Sequence, residues 1–232
     1  MKIEIWSDYA CPYCYIGETR LKKALQALPQ EASIDVVFRA FELDPSAPKE
    51  VTSTTPARFA KKYGLSEAGA LQTIHGISHM GVQEGLDFKY ATTRYTNTFD
   101  AHRLTKYAQS KGNTALIEAL FQAYFSKNQE LSDQDLLLQL ATEAGLDPLE
   151  AKNVLQGDAF AQDVRDDEKA AYMNGINAVP FFLINGKYSI SGAQPAELIQ
   201  EALGNILEEE KEAQTEAAES AGMACGINGC SF

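Results

Sequence analysis

The chain has 232 residues, 45% of them hydrophobic, with 20 Lys and Arg against 32 Asp and Glu and a formal charge of −12. That length buries a core without disulfide support, and that charge repels nucleic-acid phosphates and anionic lipid, so neither nucleic acid nor membrane is an expected partner. No apolar run approaches the roughly 18 residues of a membrane span, and the opening MKIEIWSDYACPYC lacks the layout of a secretory signal, which predicts a soluble cytoplasmic protein.

Residues 2–6 alternate polar and apolar side chains and read as a strand with Ile3 and Ile5 on one face. From Pro12 a helical pattern takes over through Ile16, Leu21, Leu25 and Leu28, and it stops before Pro29. Residues 33–43, rich in β-branched and aromatic types, give a second strand, parallel to the first if the helix crosses between them.

Between about residues 45 and 157 the period turns helical, punctuated by cap and stop residues. Helices are expected from Thr55-Pro56 to Gly64, after Ser66, from Asn97 or Thr98 to Gly112, after Asn113, from Ser132 to Gly145, and from Asp147-Pro148 to near Gly157. Another covers about 158–174. Val179-Pro180 then begins two short strands joined by Asn185-Gly186, a pair suited to a turn in which both central residues need positive φ. A last helix follows Gln194-Pro195, with Leu198, Ile199, Ala202 and Leu203 on its stripe and helix-prone composition to about residue 221. This order predicts an α/β chain: a thioredoxin fold (residues 1–44 and 158–208) interrupted after its second strand by an all-helical insertion (45–157), with an acidic tail (209–232).

Four cysteines occur, as Cys11-x-x-Cys14 and Cys225-x4-Cys230. They are too few for a disulfide scaffold, and in a reducing compartment such pairs are more often catalytic, redox-sensing or metal-binding. Cys11 lies where strand meets helix, so its sulfur should face unpaired amides and the positive end of the helix dipole. That setting favours thiolate and makes Cys11 the expected nucleophile. Cys14 returns beside it one turn later as the resolving thiol, releasing a mixed disulfide. The alternative, an all-cysteine zinc site completed by Cys225 and Cys230, wants a tighter turn than Pro12-Tyr13 supplies, so no metal is expected. Pro180 enters a strand at the sheet edge. A cis bond there would turn the Val179 backbone toward a bound peptide, which could pair with it as an added strand; an ordinary trans proline opening a strand is the bland alternative.

The segments Ser7-Asp8-x-x-Cys11-Pro12-Tyr13-Cys14-x-x-Gly17, Asn97-Thr98-x-x-Ala101-His102-Arg103-Leu104, Gly175-Ile176-x-Ala178-Val179-Pro180-x-Phe182 and Ile190-Ser191-Gly192-Ala193-Gln194 together resemble the DsbA-like family, in particular its FrnE-like cytoplasmic branch. The resemblance implies a dithiol-disulfide oxidoreductase or isomerase with Cys11 as nucleophile, Cys14 as resolving thiol and a cis Pro180. It requires no cofactor beyond the redox-active disulfide, with glutathione or a thioredoxin system as electron partner and protein or peptide thiols as substrates, in a monomer or homodimer. Tyr13 stands where secreted DsbA has His, so an imidazolium that would stabilise the thiolate is missing and a less oxidising potential is expected. The terminal Cys225 and Cys230 resemble the tail of some FrnE-like members, which implies a second redox pair.

Asn97, His102 and Arg103 are candidate groove residues through that resemblance, with a structural role at a helix start as the alternative. Asp8 and Glu42 are candidate proton carriers for Cys14. His75 and His79 have a zinc-compatible spacing but lack the glutamate of a zinc hydrolase motif. Two rival functions remain: a glutathione-dependent enzyme like the kappa-class transferases and hydroxychromene-carboxylate isomerases, where Ser is implied at the Cys11 position, and a peptide-binding holdase.

Overall fold

The computed structural model describes residues 1–29 and 32–224. Among them, four strands form one sheet in the order β2-β1-β3-β4. Strands β1 (Lys2–Ser7) and β2 (Asp35–Ala40) run parallel with Ile5 opposite Phe38, joined by helix α1 (Pro12–Gln26) as the crossover. β3 (Phe181–Ile184) is antiparallel to β1, with Ile5 opposite Phe182, and β4 (Tyr188–Ser191) is antiparallel to β3. The Asn185-Gly186 turn between them has φ of 52° and 67°, as its sequence predicts.

Helices α2 (Thr55–Tyr63), α3 (Glu67–Gln83), α4 (Phe99–Ser110), α5 (Ala115–Phe125), α6 (Gln134–Glu143) and α7 (Pro148–Gln156), with a 3-10 turn at Tyr90–Thr92, stand between β2 and α8 (Ala161–Met173). α9 (Ala196–Ala224) follows the sheet and carries the helix a few residues past the expected point. Cys225 and Cys230 lie outside the described residues.

β2 is shorter than the 33–43 expected, spanning Asp35–Ala40, and two helix starts also differ from the sequence reading. Asp133, not Ser132, caps α6: its carboxylate accepts from the Asp135 and Leu136 amides at 3.0 and 3.3 Å, while the Ser132 hydroxyl turns to the Lys49 carbonyl. α8 begins at Ala161 rather than near 158 because Phe160 has a left-handed φ of 60°, through which no helix runs.

The sheet is covered on both faces. Ile3 and Ile5 point into the main core with Ile16 and Leu21 of α1 and Ile199 and Leu203 of α9. Trp6 points the other way, against Ala171 and Ile176, and its indole donates to the Asp167 carbonyl at 2.9 Å. Asp167 also binds α8 to the sheet through its carboxylate, which accepts from Arg39 at 2.9 Å, from the Ala40 amide at 2.8 Å and from Lys106 of α4.

Helix α1 is held to the helical segment by aromatic rings. Tyr15 stacks on Phe121 of α5 with centroids 5.0 Å apart, and Tyr9 meets the same ring at 4.9 Å. Phe121 is fully buried. Phe121→Ala should therefore lower the unfolding free energy by about 3–5 kcal/mol, read in urea as a lower midpoint with an unchanged slope.

Candidate active site

β1 ends at Ser7, and the chain turns into α1 under the control of Asp8. The Asp8 carbonyl accepts from the Cys11 amide at 3.0 Å. One carboxylate oxygen accepts from the Ala10 amide at 3.1 Å and the Thr98 hydroxyl at 2.9 Å, and the other accepts from the Leu43 amide at 2.7 Å. The turn is thus tied to the loop after β2 and to the start of α4. Cys11 is left at the N-cap of α1 in extended backbone, with Pro12 at the first helical position, where a missing N–H does no harm. The Cys14 amide donates to the Cys11 carbonyl at 3.1 Å, so the two residues are one turn apart, and both carry free thiols.

The two sulfurs have different surroundings. Cys14 is wholly buried, whereas Cys11, 4% exposed, lines a groove of about 890 Å³ that Cys14 does not reach. The groove runs between Tyr13, residues 177–179 and Leu43 on one part of its wall and side chains of α2 and α3 on the rest. Burial pushes the Cys14 thiol well above the ordinary range and the neighbouring Cys11 adds to this; the Asp8 backbone and the Ser7 side chain pull the other way without reversing it.

The Cys11 thiol donates to the Val179 carbonyl at 3.6 Å and makes no bond to the helix amides. This differs from the sequence expectation for a simple reason. A protonated sulfur is a donor and seeks a carbonyl, whereas backbone amides are themselves donors and suit a sulfur that has lost its proton. The Val179–Pro180 peptide is cis. Gly17, one turn past Cys14, allows the close approach of helix and strand: a Cβ there would sit 2.8 Å from the Pro180 ring.

None of Asn97, His102 and Arg103 lines this groove. Asn97 accepts from the Phe99 amide at 2.9 Å and donates to Glu42 at 3.2 Å, fixing the start of α4. His102 packs on Tyr9 with its Nε2 3.6 Å from the Asp8 carboxylate. Arg103 is buried and donates to Asp100 at 2.8 Å, to the Ala159 carbonyl at 3.0 Å and to the carbonyls of Val154 and Gly157. Of the two carboxylates considered as proton carriers, Asp8 holds the turn and Glu42, raised by burial, accepts from Arg165 at 2.6 Å. His75 and His79 lie exposed on α3.

One titrating residue escaped the sequence reading. Glu18 is buried on α1, its Oε2 without a hydrogen-bond partner, and burial pushes its pKa up to about 7 against the pull of Lys22 at 2.8 Å. Its position four after Cys14 and three before Leu21 puts it on the apolar face, a signal that was available.

A four-stranded sheet of this order, with a dithiol opening its first helix, defines a thioredoxin-fold protein. The chain belongs to the DsbA-like thioredoxin domain family, a family of thiol-disulfide oxidoreductases whose model matches residues 2–204. A probable DsbA oxidoreductase from Streptomyces coelicolor is 38% identical and superposes with a TM-score of 0.85 over 90% of this chain and 91% of its own. An uncharacterised Bacillus subtilis protein, YwbO, is 28% identical over 88% of this chain and 96% of its own. The cytosolic disulfide reductase DsbM from Pseudomonas aeruginosa, 14% identical, shares the fold with a TM-score of 0.62 over 90% of this chain and 100% of its own.

Glu18 gives a pH-dependent stability. Its folded pKa, about 7, exceeds the ordinary 4.5, so the folded state holds the proton more tightly than the unfolded one. The stabilisation is complete below pH 4.5 and is lost as pH rises through 7. Glu18→Gln, which does not ionise, should be more stable than wild type at pH 8 by about 1–3 kcal/mol and nearly equal at pH 4. Urea midpoints at the two pH values check this.

Proposed function

We propose that the protein is a cytoplasmic dithiol-disulfide oxidoreductase or isomerase acting on protein or peptide substrates, with Cys11 as nucleophile and Cys14 as resolving thiol. The observation that carries this reading is the asymmetry of the pair: only Cys11 opens to the groove, beside the Val179 carbonyl, while Cys14 is sealed behind it with its proton held. The cytosolic relative DsbM and the absence, among the described residues, of a helix long and apolar enough to cross a membrane are consistent with the location proposed.

On loss of its proton, the Cys11 sulfur turns from the Val179 carbonyl toward the first amides of α1, which then stabilise the anion. The thiolate attacks one sulfur of a substrate disulfide; a Cys11–substrate disulfide forms and the other substrate sulfur leaves as thiolate. Cys14 attacks the Cys11 sulfur and its proton passes to the departing substrate thiolate, so the Cys11–Cys14 disulfide forms and the substrate leaves reduced, having gained two electrons. The freed Val179 carbonyl faces the groove and accepts from a substrate backbone amide, as an added strand would require. Glutathione or a thioredoxin system restores the dithiol. If a second substrate thiol displaces Cys11 before Cys14 acts, the result is isomerisation.

Neither rival function requires two sulfurs of unequal burial. Cys11→Ser should abolish reduction of insulin disulfides, while Cys14→Ser should still attack and then accumulate a mixed disulfide at Cys11, visible by mass spectrometry without reductant. Glutathione transfer or peptide binding that persists at full strength in Cys11→Ser, with no disulfide exchange in wild type, would contradict the reading.

Tyr13 offers no cation to the Cys11 thiolate; burial raises its own hydroxyl pKa, which keeps it neutral. A glutathione redox titration should give a potential more negative than the roughly −120 mV of DsbA.

A further inference from the structure

The groove beside Cys11 carries a charge opposite to that of the chain. Arg58, Lys61 and Lys62 of α2 all line it, against one carboxylate, Asp44, in a protein whose formal charge is −12. Asp44 is already occupied, accepting from the Ser46 hydroxyl at 2.6 Å, the Ser46 amide at 3.0 Å and the Tyr95 hydroxyl at 3.3 Å. Among the described residues, none of the three cations forms a close ion pair, although Asp44, held below its ordinary range chiefly by the Ser46 hydroxyl, also feels the Lys62 charge. Arg58 lies with its guanidinium 3.8 Å from the centre of the Tyr95 ring, and its Nε is buried with no hydrogen-bond partner. Tyr90, buried, lines the same groove as Arg58 and Cys11.

The groove is also where exposed apolar area concentrates. Of the nine large apolar side chains left exposed among the described residues, four line it: Tyr13, Leu43, Tyr63 and Leu65. At about 890 Å³ it lies near the top of the roughly 300–1,000 Å³ that holds a drug-sized ligand, enough for several residues of extended chain.

We propose that this groove selects acidic polypeptide segments, in which Asp or Glu near the reacting cysteine meets Arg58, Lys61 and Lys62 while apolar neighbours cover Tyr13, Leu43, Tyr63 and Leu65. The inference rests on the thiol-exchange function proposed above and names its substrate class. Unpaired cations at the mouth of a low-dielectric cleft raise the local concentration of anionic chains and speed their capture. The negative remainder of the surface repels the same chains, so orientation as well as affinity is set: an acidic segment is favoured only when it approaches α2.

The test uses three otherwise identical peptides, each with one cysteine as its 2-pyridyl disulfide and flanked by Asp, Ser or Lys. Reduced full-length protein reacts with each in a single turnover; the Cys11 thiolate attacks the peptide sulfur, a Cys11–peptide disulfide forms and pyridine-2-thione leaves, giving the absorbance that is read. The Asp-flanked peptide should react about tenfold faster than the Lys-flanked one at low salt, with the ratio falling toward unity at about 1 M salt. The variant R58Q/K61Q/K62Q should bring the low-salt ratio to within about twofold. The variant K127Q/K152Q/K169Q, which removes three exposed lysines elsewhere, changes net charge equally and should keep the wild-type ratio. Equal rates for all three peptides, a preference for the Lys-flanked peptide, or the same ratio in the groove variant as in wild type would overturn the selection. Failure of every peptide to react above a Cys11→Ser background would instead overturn the thiol-exchange reading beneath it.

Discussion

Everything in this molecule answers to a single geometric demand: two sulfurs one helical turn apart, only one of which meets the outside. A strand that ends in a tight turn and re-enters as a helix provides it, because the turn puts the first sulfur at the mouth of the helix and the helical pitch carries the second back under it. Asp8 is the residue that makes the turn rigid. Its carbonyl and both carboxylate oxygens bind four partners from three parts of the chain, so the position of Cys11 is fixed by the loop after β2 and by α4 as well as by its own neighbours.

The remaining architecture serves that junction from outside. Gly17 lets α1 lie against the Pro180 ring, which brings the Val179 carbonyl to the first sulfur. The Tyr15–Phe121 stack seats the same helix on the helical segment, whose α2 and α3 form the far part of the groove. Asp167 locks α8 to β2 and α4, and α8 leads directly to the loop that carries Val179.

The parts legible in the sequence are those governed by local rules. The period-two strand, the helix opened by Pro12, the Asn185-Gly186 turn and the Asp147 cap all follow from one or two residues and their immediate neighbours. Ser132 and Asp133 are both good caps, and only the nearby Lys49 carbonyl decides between them. The left-handed Phe160 gives no sequence warning at all. Asn97, His102 and Arg103 are candidate groove residues by resemblance, yet Asn97 fixes the start of α4 and the other two are buried; the acceptors that satisfy Arg103 include carbonyls 51 to 56 residues away, which no local pattern reveals. The cations of the groove were missed for the converse reason, since on a short helix nothing local says which neighbour a lysine will face.

The depth of Cys11 has one more effect. A reactive sulfur on a convex surface readily finds its counterpart on another copy and joins the two covalently. Here each copy would present a recess, and two recesses cannot bring their floors together; a slender strand can enter where a second globule cannot. Cys11 is thus reached only along a groove, and its recess sets the shape of whatever can touch it.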